Sequence, residues 1–232
     1  MAEMTVLQEG SVVRKIKLSI AFAMALFCLA AVAEESGFEL NRQALIAARA
    51  GNFASLQRLV EQGAAVNSRN RFGDTLLLMS IKSGQMDMFR YLIDHGADVN
   101  LANVSKVTPL MAAAFVGNKD MANMLLDRNA NITAQDHLHK TAMVYAAGNG
   151  KTGVVDLLLS KGVMPNERYD NELTALMWAA GNGHLDTVRF LLDHGADARL
   201  LDNRGKSALQ IATESRQPDI AALLQQQTPR GK

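Results

Sequence analysis

Between Phe38 and Leu224 the apolar positions fall into two alternating kinds of block. One is a short run dense in small and apolar residues, such as Leu110 to Val116. The other is amphipathic, with apolar residues three and four apart, as in Met121, Met124 and Leu125 or Val188, Leu191 and Leu192, which predicts a helix with one buried face. The second kind ends at Gly63, Gly96, Asn129, Gly162 and Gly195, spaced by 33 residues, and the first kind starts after Thr75, Thr108, Thr141, Thr174 and Ser207 at the same interval. Self-similarity of this length predicts stacked helical units, each burying its apolar face only against its neighbours.

Within a unit the residues divide the labour. Thr108 is placed as an N-cap for the amides of the first turn, and Pro109 behind it has no amide hydrogen to leave unpaired. The alanines that follow (Ala112, Ala113 and Ala114; Ala146 and Ala147; Ala179 and Ala180) let one first helix approach the next closely, and Gly117, Gly150 and Gly183 close that helix. The second helix stops at a residue that tolerates positive φ, which is why Gly and Asn hold the stop position. Between units run turns over 103–108, 136–141, 169–174 and 202–207. Glycine stands in the fourth turn position at Gly73 and Gly205, while Lys106, His139 and Glu172 replace it elsewhere and make those turns more individual. Trp178, Tyr145 and Met79 follow helix starts and are expected in the core, and Met111, Met143 and Met177 are expected as adaptable core filler.

The first 33 residues break the period. Arg14, Lys15 and Lys17, the apolar run Leu18 to Val32, and the ending Ala31-Val32-Ala33 read as a secretory signal peptide over 1–33. From Leu18 to Ala33 there are 16 residues, short of the ~20 that cross a bilayer, although a retained tilted anchor and a buried helix are the alternatives. Cys28, the single cysteine, lies inside it, so the exported domain would depend on packing without disulfides. Removing this segment from 24 basic and 23 acidic residues leaves 21 of each. A net charge of zero does not favour nucleic acid.

Catalytic signatures are missing from the sequence: it has no phosphate loop, Gly-x-Ser-x-Gly elbow or His-Glu-x-x-His helix. His95 and His194 precede helix stops and are expected to interact with the helix C-termini. His137 and His139 are close enough to bind a metal weakly, but three protein ligands are the usual minimum.

The 33-residue period, the Thr-Pro-Leu start at Thr108, the Ala-Ala-x-x-Gly runs and the Leu-Leu-x-x-Gly-Ala-Asp ending over Leu191 to Asp197 resemble ankyrin repeats across about Phe38 to Leu224. The resemblance implies an all-α fold, an ankyrin-repeat solenoid of stacked helix-turn-helix units with projecting β-turn fingers. About six repeats fill 34–225, the first and last degenerate, with a polar tail over 226–232. The family's histidine after Thr-Pro-Leu is replaced by Leu78, Met111, Val144, Met177 and Gln210, which puts in doubt the network that usually ties turn to helix.

The resemblance further implies protein binding without catalytic, cofactor or metal sites. The family's variable concave positions fall on Arg71, Phe72, Asp74 and Lys82 in the second unit, and on Val104, Val107 and Phe115 in the third. They continue at His137, Leu138 and Lys140, at Asp170, Asn171 and Leu173, and at Asn203, Arg204 and Lys206. Phe72 and Phe115 are either partner anchors or rings folded back onto their own repeats, and the basic residues either bias the groove or simply solvate it. The expected partner is another protein or peptide, not nucleic acid, and not a membrane unless the leader is retained. Polar residues on the end repeats, among them Gln43, Arg49, Gln57, Glu214, Arg216 and Gln225, suit a monomer. The expected location is the periplasm or the exterior. The roles that fit are an adaptor or inhibitor, a membrane-tethered scaffold, or a protective factor for a periplasmic enzyme such as one handling oxidants.

Overall fold

A computed structural model of the chain describes residues 37–227. The expected leader over 1–33, with Cys28, and the end of the tail beyond Gln227 lie outside the described residues. Among these, no helix is long and apolar enough to cross a membrane.

Six helix pairs follow one another. They are α1 (37–49) with α2 (Phe53–Glu61), α3 (Leu76–Lys82) with α4 (Met86–Asp94), and α5 (Pro109–Val116) with α6 (Lys119–Asp127). Then come α7 (Ala142–Gly148) with α8 (Thr152–Ser160), α9 (Ala175–Gly181) with α10 (Leu185–Asp193), and α11 (Ala208–Glu214) with α12 (Pro218–Gln227). The caps are where the side-chain chemistry requires them. Thr75, Thr108, Thr141, Thr174 and Ser207 each accept from the amide three residues on. The stops Gly63, Gly96, Asn129, Gly162 and Gly195 all have left-handed φ, from +62° at Asn129 to +105° at Gly63.

The first helices stack on one another in the order α3, α5, α7, α9, α11, while each second helix packs behind its own partner. Ala113, Ala114, Ala146, Ala147, Ala179 and Ala180 are fully buried between first helices, and Met88, Phe89, Met121, Leu125, Val154, Leu158, Val188 and Leu191 fill the layer between first and second helices. Met111, Met143 and Met177 are buried as filler. His95 and His194 bond the carbonyls of Tyr91 and Phe190 through Nδ1 at 2.8 and 2.7 Å and stack on the same two rings, adding a second bond to carbonyls that already accept the amides of His95 and His194.

The projecting β-turn fingers are corrected by the structure: among the described residues no strand forms, and only two isolated bridges join Arg69 to Thr75 and Leu201 to Ser207. The reason lies in where the turn's polar groups go. Asn70, Asn103, Asp136 and Asp202 each turn one side-chain oxygen onto the amides two and four residues ahead, leaving few backbone groups for a ladder. The turns join sideways instead, the amide of Val104 bonding Phe72 O, that of His137 bonding Ser105 O, and that of Asn203 bonding Asn171 O. Lys106, His139 and Glu172 retain the left-handed φ of the glycines they replace, at +59°, +54° and +61°. The fifth turn departs most, forming a 3-10 turn over Asp170–Glu172 with Asn171 also left-handed.

One junction lacks the recurring ties. Asn67, Asn100 and Asn166 donate to the carbonyls of Gly96, Asn129 and Gly195 and accept from the amides of Asp98, Asn131 and Asp197. Thr133 occupies the same register between the fourth and fifth units and makes neither bond, turning back instead onto Asn131. The sideways turn bond is missing at this junction too, since the Asp170 amide does not reach Leu138 O. Packing of α7 on α9, a Thr152 to Thr187 hydroxyl bond of 2.8 Å, and a His184 Nε2 bond of 3.0 Å to Gly148 O hold these units together.

Candidate functional site

A 33-residue period sets the turn residues and the outward positions of the first helices into columns. Arg71, Val104, His137, Asp170 and Asn203 share one, and Phe72, Leu138, Asn171 and Arg204 belong to the next. Asp74, Val107, Lys140, Leu173 and Lys206 form a third, while Lys82 and Phe115 share a position on α3 and α5. The face is rich in exposed apolar groups: Phe72 is 58% exposed, Val104 65%, Phe115 52% and Leu138 64%. Both rings in question therefore point outward rather than into their own repeats.

The charged members of these columns are mostly neutralised locally. Asp74 is buried, with Oδ2 2.7 Å from Lys82 Nζ and Oδ1 accepting from Asn103 Nδ2 at 2.9 Å, so it organises the groove wall. Arg204 pairs with Asp202, and Lys206 with Glu214. Arg71 lies over the Phe72 ring at 4.7 Å. Val107 and Leu173 are half-buried, and Asp170, Asn171 and Asn203 are exposed. His137 Nε2 bonds Val104 O at 2.9 Å, and His139 Nδ1 lies 3.4 Å from Gln135 Oε1. Among the described residues no three His, Cys, Asp or Glu side chains converge as metal ligands.

At the centre the face is aromatic. Tyr145 and Trp178, four residues past their caps in α7 and α9, were expected in the core; like Met79 at the same register they pack against it, but they are half-buried and also line the groove. The deviation has a steric cause, because Ala146, Ala147, Ala179 and Ala180 bring the first helices too close for rings to fit between them. Tyr145 meets Phe115 edge-on at 6.1 Å, and its hydroxyl donates to Asp136 Oδ2 at 2.6 Å. Burial raises the Tyr145 hydroxyl, and the bond to Asp136 and that residue's charge raise it further. Burial would also raise the Asp136 carboxyl, but the Tyr145 hydroxyl and the amides of Lys140 and Leu138 outweigh it and hold the group below its ordinary value. Lys140 places its ammonium 5.9 Å from the Tyr145 ring centre and 5.1 Å from that of Trp178, within cation–π range of both.

Two hollows open along this strip. One, about 320 Å³, is lined by Lys82, Val107, Met111, Phe115 and Tyr145. The other, about 360 Å³, lies at the junction that lacks its ties, between Leu138, Lys140, Val144, Tyr169, Leu173 and Trp178. Tyr169 stands there at the register of Asn70, Asn103, Asp136 and Asp202. It cannot bond the turn amides as those residues do. Burial pushes its hydroxyl up, aided by the nearby charge of Glu167, and the group lies towards Thr141 without normal hydrogen-bond geometry.

The arrangement offers apolar and cationic contacts along a row of turns and helices. The sequence-expected positions come together on one face, and the residues whose place on it was not foreseen, Tyr145, Trp178 and Tyr169, were detectable only as bulky residues in columns otherwise filled by Met79, Ala112 and Ile211 or by Asn and Asp. Comparison with known families finds that a model for ankyrin repeats (three copies) matches residues 44–136 and 143–230, leaving a gap on the fourth turn. No curated protein matches the chain significantly.

Proposed function

The chain belongs to the ankyrin-repeat family, and from that premise we propose that its turn and first-helix groove captures another protein or peptide. Ankyrin repeats generally mediate protein–protein interaction and are characteristically non-catalytic. The observation that carries the finer reading is the exposure of Phe72, Val104, Phe115 and Leu138 on one face, flanking the half-buried rings of Tyr145 and Trp178. Covering such groups removes apolar area from water at about 25 cal/mol per Å², and binding energy concentrates in a few aromatic anchors.

The role proposed is an adaptor or inhibitor acting as a monomer outside the cytoplasm. The basic, apolar and small-residue order of residues 14–33 supports export, either as a free domain or on a tether. Capture from an extracytoplasmic fraction on tagged protein, with the Phe72→Ala/Phe115→Ala variant in parallel, tests this reading. A partner retained by the parent chain and released by the variant is the expected result. Equal retention by both would move the binding site off this face.

A further inference from the structure

We propose that the cleft between the fourth and fifth turns is the anchoring subsite of this groove and takes an acidic peptide segment, with a carboxylate beside a large apolar side chain. The inference rests on the groove reading above and names the chemistry of its occupant. Among the described residues, the buried side-chain nitrogen and oxygen atoms without a hydrogen-bond partner are Trp178 Nε1 and the Tyr169 hydroxyl, and both side chains line this one cleft. A buried donor left unpaired is costly, typically about 1–3 kcal/mol; the Tyr169 hydroxyl leans on Thr141, whereas Trp178 Nε1 has no acceptor, so the cleft wall holds a donor that an acceptor arriving with a ligand would satisfy.

The other free groups have the same sense. The Asp170 amide lacks the sideways bond that its counterparts at Val104, His137 and Asn203 make. Lys140 sets its ammonium against two ring faces rather than in a salt bridge. Of the nearby carboxylates, Asp136 is engaged by Tyr145 and two amides and Asp170 by the Asn171 side chain at 2.8 Å, while Glu167, whose charge reaches the Tyr169 hydroxyl, does not line the cleft. The cleft therefore presents an excess of donors around a cation, which an anionic acceptor complements. Val144 and Leu173 form an apolar lining, Leu138 stands 64% exposed at the rim, and about 360 Å³ accommodates one large side chain with its neighbouring carboxylate.

Trp178 is the chain's only tryptophan, so its emission reports on this cleft alone. The probe is a displayed library of random linear peptides selected on the full chain, with the enriched peptides titrated by calorimetry on every chain and also by Trp178 fluorescence where that residue is retained. The parent chain is compared with Lys140→Gln, Trp178→Phe and Phe72→Ala/Phe115→Ala, circular dichroism confirming that each variant is folded. The expected outcome is enrichment of Asp or Glu next to a large apolar residue, a change in Trp178 emission on binding, and roughly tenfold weaker binding to Lys140→Gln. Trp178→Phe, which keeps an aromatic ring but removes the indole donor, is expected to weaken binding while leaving the fold intact. Peptides without acidic enrichment, or indifferent to Lys140→Gln and Trp178→Phe but lost with the Phe72 and Phe115 variant, would overturn the subsite and leave the groove standing. No enrichment, or binding unaffected by all three variants, would overturn both.

Discussion

The Tyr145 hydroxyl donates to Asp136 Oδ2 at 2.6 Å, tying the fourth turn to its own first helix. Val144 holds the position where the family's histidine would make such a tie, so the connection has moved one residue along the helix. Other units solve the same problem with ion pairs: Lys82 reaches back to Asp74, and Glu214 to Lys206, each across eight residues. Turn-to-helix coupling thus survives the loss of the signature histidine through three different side-chain pairs.

Tyr145→Phe removes that donor from a buried carboxylate and is expected to cost about 1–3 kcal/mol in urea unfolding. It also changes the pH profile. Asp136 is held below its ordinary value, so its contribution is complete above the unfolded carboxylate range near pH ~4 and is lost as pH falls through the depressed folded value. Without the hydroxyl this depression shrinks, and acid unfolding should begin at higher pH than in the parent. At the alkaline end, the raised Tyr145 group stabilises below its unfolded value near ~10 and loses that contribution as pH rises through the folded one. The variant should show a smaller loss there.

Two glycines with left-handed φ separate strain from collision. Gly162 has φ +98° and open space where a Cβ would stand, so Gly162→Val should cost more than about 1 kcal/mol through backbone strain alone. At Gly73, φ +75°, a Cβ would lie 2.8 Å from the backbone nitrogen of Val104, which bonds Phe72 O. Gly73→Ala should therefore destabilise more than Gly162→Ala in parallel thermal melts.

Thr133→Asn places the bridging side chain of Asn67, Asn100 and Asn166 at the junction that lacks it. A gain of about 0.5–1.5 kcal/mol is expected if the new side chain reaches Gly162 O. Hydrogen exchange of amides in α9 should slow more than in α3, since the added bond acts at one seam of a stack coupled through nearest neighbours.

Phe72→Ala and Phe115→Ala are expected to leave the fold nearly unchanged, each within about 0.5 kcal/mol, because both rings are more than half exposed. Chemical denaturation checks this directly. A large loss would assign the rings to the core and remove them as anchors.

The interval of 33 residues, the caps at Thr75 through Ser207 and the left-handed stops were legible in the chain itself. Each depends on a local rule: a hydroxyl that reaches an amide three residues on, or a residue that tolerates positive φ. The same holds for His95 and His194 against their own helix ends, and for the columns of turn residues, which follow from the period once units stack. The side-to-side joining of the turns was not legible, because it depends on amides of one unit meeting carbonyls of the next.

Sequence by itself determined that this is a stack of helix pairs, where each pair begins and ends, and which positions share a face, since those properties follow from backbone geometry repeated at a constant interval. Tertiary structure alone decided that Tyr145 and Trp178 pack on the core with one side and line the groove with the other, and that the fourth and fifth units lack the side-chain and turn ties that join the others. It also decided that Asp74 and Asp136 are occupied from within. These outcomes depend on how closely neighbouring helices approach and which polar groups they bring into reach, distances that no single unit's sequence contains.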